Sequence, residues 1–346
     1  MYALNMFQNA LIIGYGSIGK KHAAHLIKYF KKVFIYDPLK TVDEFYFTRF
    51  EFVSNLTRLA FHPDSQDIAV IANWGPDHLG SFEICLGLGF KNFVLEKPLT
   101  SSLTDLIKLR TLIKTRNVNV LVNQGWESEK LGIRIRKLGF NLDLGEPVAM
   151  FVSGGARCIS TAGSHNIHLA LGVFDSVPIE MMGHLKDDRI NPRNSELAYY
   201  EGTYSIIFEQ GQRLSMSYSN KSSVQGRVEI YWRDAYGELI NEAKVRIFER
   251  DYKRPYANII TRYGIPDKLV WDDITPSEEP QILSAFQKMY RGFQNLTLSE
   301  FQRIFERHFI SNEALLRTLI SSDQGKVIRM NQPIDEAWSE MDFRIS

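Results

Sequence analysis

Apolar and polar positions along this chain follow two regimes that change over near residue 125. Before that point, short continuous apolar runs alternate with amphipathic stretches. Ala10-Leu11-Ile12-Ile13 is long enough for one buried strand, and His22, Ala23, Leu26 and Ile27 follow at helical spacing. Val33 to Tyr36 reads as a strand, as do Asp67 to Ala72, Lys91 to Leu95 and Asn117 to Val122. Ser81 to Leu88 and Leu103 to Ile113 read as helices between them. Repeated strand–helix units predict a parallel sheet with right-handed crossovers. In such sheets ligands lie beyond the carboxyl ends of the strands, which singles out Gly14, Asp37, Asn73, Trp74, Glu96, Lys97 and Asn123.

Beyond residue 125, Glu129 to Leu138 reads as a helix with a basic face formed by Lys130, Arg134, Arg136 and Lys137. Gly145-Glu146-Pro147 turns into a strand over 148–153. Four β-rich runs follow, at Tyr199–Phe208, Arg213–Tyr218, Arg227–Trp232 and Lys244–Phe248. Gly202, Gly211, Gly226 and Gly237 punctuate these runs, the signature of an antiparallel meander. Helical patterns return at Pro280–Tyr290 and Leu298–Ile320. The predicted fold is α/β, with a parallel-sheet domain over residues 1–125. A C-terminal α+β domain over 126–346 is built on an open, largely antiparallel sheet. One face of so broad a sheet needs a cover, and a second copy of the chain is the expected one.

Composition narrows the partners. A chain of 346 residues is long for one core, in keeping with two domains. With 44% hydrophobic and 23% charged residues it has a soluble globular composition. A formal net charge of +1 gives no global field for nucleic acid or an anionic membrane. No apolar run approaches the ~18 residues of a membrane span, and Met1 to Met6 lacks a signal-peptide pattern. Cys85 and Cys158 are too few for a disulfide framework and point to a reducing cytoplasm.

The candidate chemistry begins where the first strand ends. Gly14, Gly16 and Gly19 fit G-x-G-x-x-G between a strand and a helix. The first glycine allows the tight turn, the second a close backbone approach to a pyrophosphate, and the third close helix–strand packing. With Ser17 and Ile18 they would hold the phosphates on the helix N-terminus. Asp37, 18 residues after Gly19, stands where an acidic residue binds the adenosine ribose and repels a 2′-phosphate. Its nearest cation is Lys40. The cofactor expected is therefore NAD in preference to NADP, although Asp37 also reads as a loop cap. Asn73-Trp74-Gly75-Pro76-Asp77-His78 forms a turn after a strand, where Trp74 would stack on a dinucleotide or simply pack on the surface; Asn73 and His78 join the cofactor-binding candidates. Glu96-Lys97-Pro98 puts an extended lysine at a strand's carboxyl end, where partial burial makes it a usable acid or base. The other reading is a surface lysine before a helix. In the second domain, Ile167, Ala170, Leu171 and Phe174 form one buried helical face. His165 and His168 share another, with Ser164 as a cap at the helix start. They read either as proton acceptors or as structural histidines, and their spacing matches no standard metal site.

Gly14-x-Gly16-x-x-Gly19-x-x-His22 with Glu96-Lys97-Pro98 resembles the glucose–fructose oxidoreductase / inositol dehydrogenase / rhizopine-catabolism family (Gfo/Idh/MocA). The ending is similar too: a helix through Leu316–Ile320, a serine-containing turn, Gly325 and a short strand at Val327-Ile328. The resemblance implies a Rossmann domain, a mixed α/β domain, and a dimer or tetramer built on the open sheet. It implies Lys97 and His165 as catalytic residues, with His168 beside them. Two positions depart from the family pattern: Thr161 and His168 stand where aspartates are expected. Asn123-Gln124-Gly125-Trp126-Glu127 likewise replaces an Asn-Arg-Arg-Phe-like turn, which implies a different substrate contact. The function expected is NAD-dependent hydride transfer at a hydroxyl or ketone of a sugar or nucleotide sugar, with Arg157 as a contact for an anionic substituent. The alternatives are an NAD-dependent glycosidase of the same fold and a non-catalytic NAD-binding sensor.

Overall fold

The computed structural model describes residues 7–39, 50–56, 59–124, 126–155, 158–187, 191, 194–219, 221–224, 226–240, 244–253, 266–273 and 281–346. The first series runs β1 (Phe7–Ile13), α1 (Ser17–Leu26), β2 (Phe30–Tyr36), β3 (Phe50–Phe52), β4 (Ile68–Ile71), α2 (His78–Leu88), β5 (Asn92–Glu96), α3 (Leu103–Arg116) and β6 (Asn119–Asn123). All pairs in its sheet are parallel, in the order β3-β2-β1-β4-β5-β6. The order reverses between β1 and β4, the switch point at which such sheets bind ligands. The register pairs Ile13 with Tyr36 and Ile71, Ile71 with Leu95, and Glu96 with Asn123. Five strands therefore end at one edge, and the residues after them share it. Local chemistry ends the helices: α2 stops at Gly89 in the left-handed region. The Ser102 hydroxyl caps α3 by accepting from the Asp105 N–H at 3.1 Å.

The second series runs α4 (Trp126–Asn141), β7 (Ala149–Gly154), α5 (Ile159–Phe174), β8 (Pro178–Asp187), β9 (Tyr200–Phe208), β10 (Arg213–Tyr218), β11 (Arg227–Tyr231), β12 (Ala235–Ile240), β13 (Lys244–Arg250), β14 (Pro266–Asp272), α6 (Gln281–Asn295), α7 (Leu298–Gln324), β15 (Ile328–Arg329) and α8 (Glu336–Ser339). Its nine strands order as β14-β13-β12-β11-β7-β10-β9-β8-β15, antiparallel except for β7 with β10. One face is covered: Met150, Val152, Leu214, Met216 and Ile230 are buried, and Phe174 of α5 meets Phe208 edge-on at 4.9 Å. The other face carries an aromatic ladder. Phe151 meets Tyr231 at 5.4 Å, Tyr231 stacks on Tyr236 at 6.0 Å, and Tyr236 stacks on Phe248 at 5.1 Å.

Two of the glycines that punctuate the β-rich runs lie inside strands. Gly202 sits in β9 with φ +127°, and a Cβ there would overlap the His184 carbonyl of β8. Gly237 sits in β12, where a Cβ would lie 3.1 Å from the Trp232 ring. Both are places of close approach rather than chain reversal.

The compact units do not follow a single cut in the chain. The first comprises 1–126, 279–312 and 339–346, and the second comprises 127–278 and 313–338. Phe286, Met289 and Tyr290 of α6 and Phe301 of α7 complete the core under β1, β2 and β4. Among the described residues no helix is long and apolar enough to cross a membrane.

Candidate active site

In the first unit the loop after β1 has three glycines in three different situations. Gly14 adopts φ +91°, donates its N–H to the Tyr36 carbonyl at 2.9 Å, and leaves no room for a Cβ, which would lie 2.5 Å from the Asn73 nitrogen. A Cβ on Gly19 would overlap the Gly14 carbonyl oxygen. A Cβ on Gly16 would meet no atom of the described residues within 4 Å. Gly16 is also the N-cap of α1, with no side-chain cap and no acidic residue in the first turn. Among the described residues, the N–H groups around Ser17 and Ile18 have no side-chain cap at the positive end of the helix dipole. These residues fit a pyrophosphate.

Asp37, one residue beyond β2, is fixed by this same loop. Its Oδ2 accepts from the Tyr15 N–H at 2.7 Å and its Oδ1 from the Leu39 N–H at 2.9 Å. A carboxylate has about four acceptor sites, so capacity remains for ribose hydroxyls. Lys40 lies outside the described residues.

The turn after β4 is braced from within. Asn73 donates from Nδ2 to the Ser81 hydroxyl at 2.8 Å, and its carbonyl accepts from His78 Nε2 at 3.1 Å. Burial pushes the His78 imidazole below its usual range, which keeps it neutral. Nε2 of His78 is thus used by the turn, while its Nδ1 is buried with no hydrogen-bond partner among the described residues. Trp74 is half-buried and precedes a 3-10 turn that opens with Gly75-Pro76. Gly75 is obligatory, because a Cβ there would overlap the Ile345 carbonyl oxygen near the chain's end.

Glu96 closes β5 at 4% exposure. Its Oε1 accepts from Asn123 Nδ2 at 2.6 Å and from His22 Nε2 at 2.7 Å. His22 Nδ1 then accepts from the Tyr290 hydroxyl at 2.6 Å, which assigns the histidine tautomer from its partners. Burial, aided by the Glu96 charge, raises the Tyr290 phenol well above its usual value, so it remains a donor. His22, Tyr290 and Asn123 therefore form the support under the Glu96–Lys97 corner. Lys97 itself is half-buried, and its bond to Pro98 is cis.

In the second unit the histidines stand further along their helix than the sequence suggests. The N-cap of α5 is Cys158, so Ser164 is not a cap. It is buried in the helix interior, and its hydroxyl has no partner among the described residues. The true start is made by the Cys158 carbonyl, which accepts from the Thr161 hydroxyl at 3.3 Å and the Ala162 N–H at 3.0 Å. His165 is half-buried and lies two turns into α5, beyond the strongest part of the helix field. His168 is buried, with its Nε2 3.6 Å from Glu129 Oε2 of α4. Two glycines make this meeting possible. Gly132 and Gly172 let α4 and α5 cross with backbones touching; a Cβ on Gly172 would overlap the Glu129 carbonyl. Beside His165, Asn166 donates to the Tyr218 hydroxyl at 2.9 Å. Glu129 and Tyr218 were not among the sequence candidates; only the helix crossing and the sheet bring them here. Arg157 lies outside the described residues.

A parallel sheet of this order, with a glycine loop at its switch point, has the topology of a dinucleotide-binding Rossmann fold. Residues 8–124 match the family described as "Oxidoreductase family, NAD-binding Rossmann fold". This is the Gfo/Idh/MocA oxidoreductase family, and the match spans the N-terminal sheet from β1 to just after β6. Solved structures extend the likeness of fold to nearly the whole chain. A myo-inositol dehydrogenase from Corynebacterium glutamicum is 15% identical with a TM-score of 0.62, covering 95% of this chain and 100% of that one. UDP-N-acetylglucosamine 3-dehydrogenase from Acidithiobacillus ferrooxidans is 12% identical with a TM-score of 0.62, covering 92% and 99%. An oxidoreductase from Agrobacterium radiobacter, in complex with NAD+, L-tartaric acid and magnesium, is 14% identical with a TM-score of 0.63, covering 94% and 98%. No curated relative matches the sequence.

Proposed function

We propose that this protein is an NAD-dependent dehydrogenase acting on a hydroxyl or ketone of a sugar or nucleotide sugar. The observation that carries the reading is the β1 loop, where, among the described residues, Gly16 faces open space, the α1 N-terminus is uncapped, and Asp37 is held with acceptor capacity to spare. Bound there, NAD supplies the hydride chemistry. Asp37 orients the adenosine ribose and repels a 2′-phosphate, which favours NAD over NADP. Trp74 flanks the dinucleotide. Asn73 and His78 shape the turn that carries Trp74, and Glu96 holds the corner from which Lys97 projects. Lys97 donates a hydrogen bond to the reacting oxygen, and His165 accepts or relays its proton, with His168 and Glu129 behind it.

In this reading the first domain, 1–125, binds the cofactor. Residues 126–346 bind substrate and a second copy of the chain, while 279–312 and 339–346 return to brace the cofactor unit. The aromatic ladder, with Phe151 exposed and Tyr231, Tyr236 and Phe248 half-buried, supports a homodimer or homotetramer through the C-terminal sheet. Cys85 and Cys158, both free and buried, suit a reducing cytoplasm. The test is a screen of NAD reduction, followed at the nicotinamide absorbance, against polyols, sugars, uronic acids and nucleotide sugars. Turnover on at least one is expected. NAD binding with no turnover on any would instead support a sensor.

A further inference from the structure

The stretch from Glu96 to Ser101 is held by separate parts of the first unit. Glu96 is held by His22 and Asn123, and at the far end Ser101 accepts the Phe343 N–H at 2.9 Å while its hydroxyl donates to Asp342. The middle is held by Asn312, a residue of α7 with no counterpart among the sequence candidates. Asn312 Oδ1 accepts from the Leu99 N–H at 3.0 Å. Its Nδ2 donates to Gln124 Oε1 at 2.7 Å and to the His308 carbonyl at 2.8 Å. Gln124, directly after β6, donates from Nε2 to the Ser311 hydroxyl at 3.0 Å, which in turn donates to the His308 carbonyl at 2.9 Å. Leu99, Gln124, Ser311 and Asn312 are all at most 1% exposed.

This wiring runs one way. Turning the Asn312 amide over would set its Nδ2 against the Leu99 N–H and its Oδ1 against two carbonyl oxygens, so its orientation is fixed by its partners. Gln124 is fixed likewise. A buried amide pair between a helix and a loop contributes specificity of geometry that an apolar pair would not. The bond also falls at a telling place. Pro98 has no N–H, so the Leu99 N–H is the first backbone donor after Lys97. With Glu96 anchored on one side and Leu99 on the other, the Lys97 backbone is clamped at both ends.

We infer that Asn312, held by Gln124, is a positioning residue for Lys97. This rests on the reading of Lys97 as the group that meets the reacting oxygen. The test uses the full-length protein with NAD+ as the only ligand, in the parent and in Asn312→Leu and Asn312→Asp. Leucine removes every bond; aspartate keeps the acceptor for Leu99 but sets oxygen against oxygen at Gln124. Amide hydrogen exchange is followed at Leu99 and across β5. The signal of 13C-methylated Lys97, assigned through Lys97→Arg, reports on the side chain. The expected result for Asn312→Leu is exchange at Leu99 at least tenfold faster with β5 unchanged. The Lys97 signal should move toward that of a solvated lysine, and the NAD+ Kd should stay within threefold of the parent. Asn312→Asp should show the same changes at smaller size. If Asn312→Leu does not fold, Asn312→Asp alone decides. A folded variant with Leu99 exchange and the Lys97 signal both unmoved overturns the inference, as does loss of protection spread over the whole of β5. A Lys97→Met variant that keeps turnover on a confirmed substrate refutes the catalytic reading instead, and leaves the Asn312 result standing.

Discussion

Gly16 and Gly19 belong to one motif, yet the structure separates what alanine would do at each. At Gly16 the backbone is extended (φ −73°, ψ −162°), and an added Cβ meets no atom of the described residues within 4 Å. Alanine is a poorer N-cap than glycine by less than about 1 kcal/mol. The entropy removed from the unfolded chain returns about 0.4–1 kcal/mol. Apo Gly16→Ala should therefore unfold within about 0.5 kcal/mol of the parent. The new methyl does occupy the approach of a pyrophosphate to the α1 N–H groups. Losing one charge-assisted hydrogen bond costs about 1.5–3 kcal/mol, so NAD+ should bind about 10- to 150-fold more weakly. At Gly19 the Cβ overlaps the Gly14 carbonyl oxygen, and backbone must move. Overpacking of this kind costs about 1–3 kcal/mol, so Gly19→Ala should lose stability as well as binding. Thermal unfolding without cofactor and calorimetric titration with NAD+ read the two effects separately. The reasoning is refuted if Gly16→Ala binds NAD+ within threefold of the parent, or melts as low as Gly19→Ala.

Three further outcomes follow from the same geometry. Asp37→Ala should narrow the gap between NAD(H) and NADP(H) affinity, measured by fluorescence titration; tighter NADP(H) binding by the parent would contradict the role of Asp37. His165→Ala should reduce turnover on a confirmed substrate about a hundredfold, while His168→Ala has the smaller effect. The reverse order would move the proton to the His168–Glu129 pair. His25 is buried and stacked on Phe286 at 5.1 Å. Its imidazole is pushed below the usual 6.5 by burial, then by Lys28 and His22. The unfolded chain then binds the proton first as pH falls, so stability should drop below about pH 6.5. His25→Phe, which keeps the stacking, should shallow that slope in melts taken between about pH 5 and 6.5; an unchanged slope would contradict it.

The first sheet, apart from the short β3, was legible because its signals are local. Ala10–Ile13 is apolar on both faces, as a central parallel strand must be, and the glycine spacing marks the loop after it. The second sheet was legible only in part. β10 matches its apolar alternation, with Leu214, Met216 and Tyr218 buried. β12 was missed because Gly237 reads as a break, when it is the partner of the Trp232 ring. β8 and β14 carry polar and proline residues that weaken the pattern while cross-strand pairing overrides it. Lys97, Asp37 and His165 stand out in the sequence as candidates, by motif and position. Tyr290 under His22, Asn312 on Leu99 and Glu129 beside His168 do not, since each pair joins residues far apart in sequence or meets at a helix crossing. A one-cut division at residue 125 likewise missed that α6 and part of α7 pack back on the first sheet.

The most direct test of the central proposal is turnover by Lys97→Met on the first substrate that the NAD-reduction screen yields. General acid–base assistance is worth about 10²–10⁴-fold, or about 3–5 kcal/mol of barrier. Lys97 is half-buried at the end of β5, on a corner whose anchors lie at Glu96 and Leu99. Its replacement by methionine should leave the fold and the NAD+ Kd within threefold of the parent while turnover falls at least a hundredfold. A fall of less than about tenfold, with NAD+ still bound, would contradict the assignment of Lys97 to the reacting oxygen.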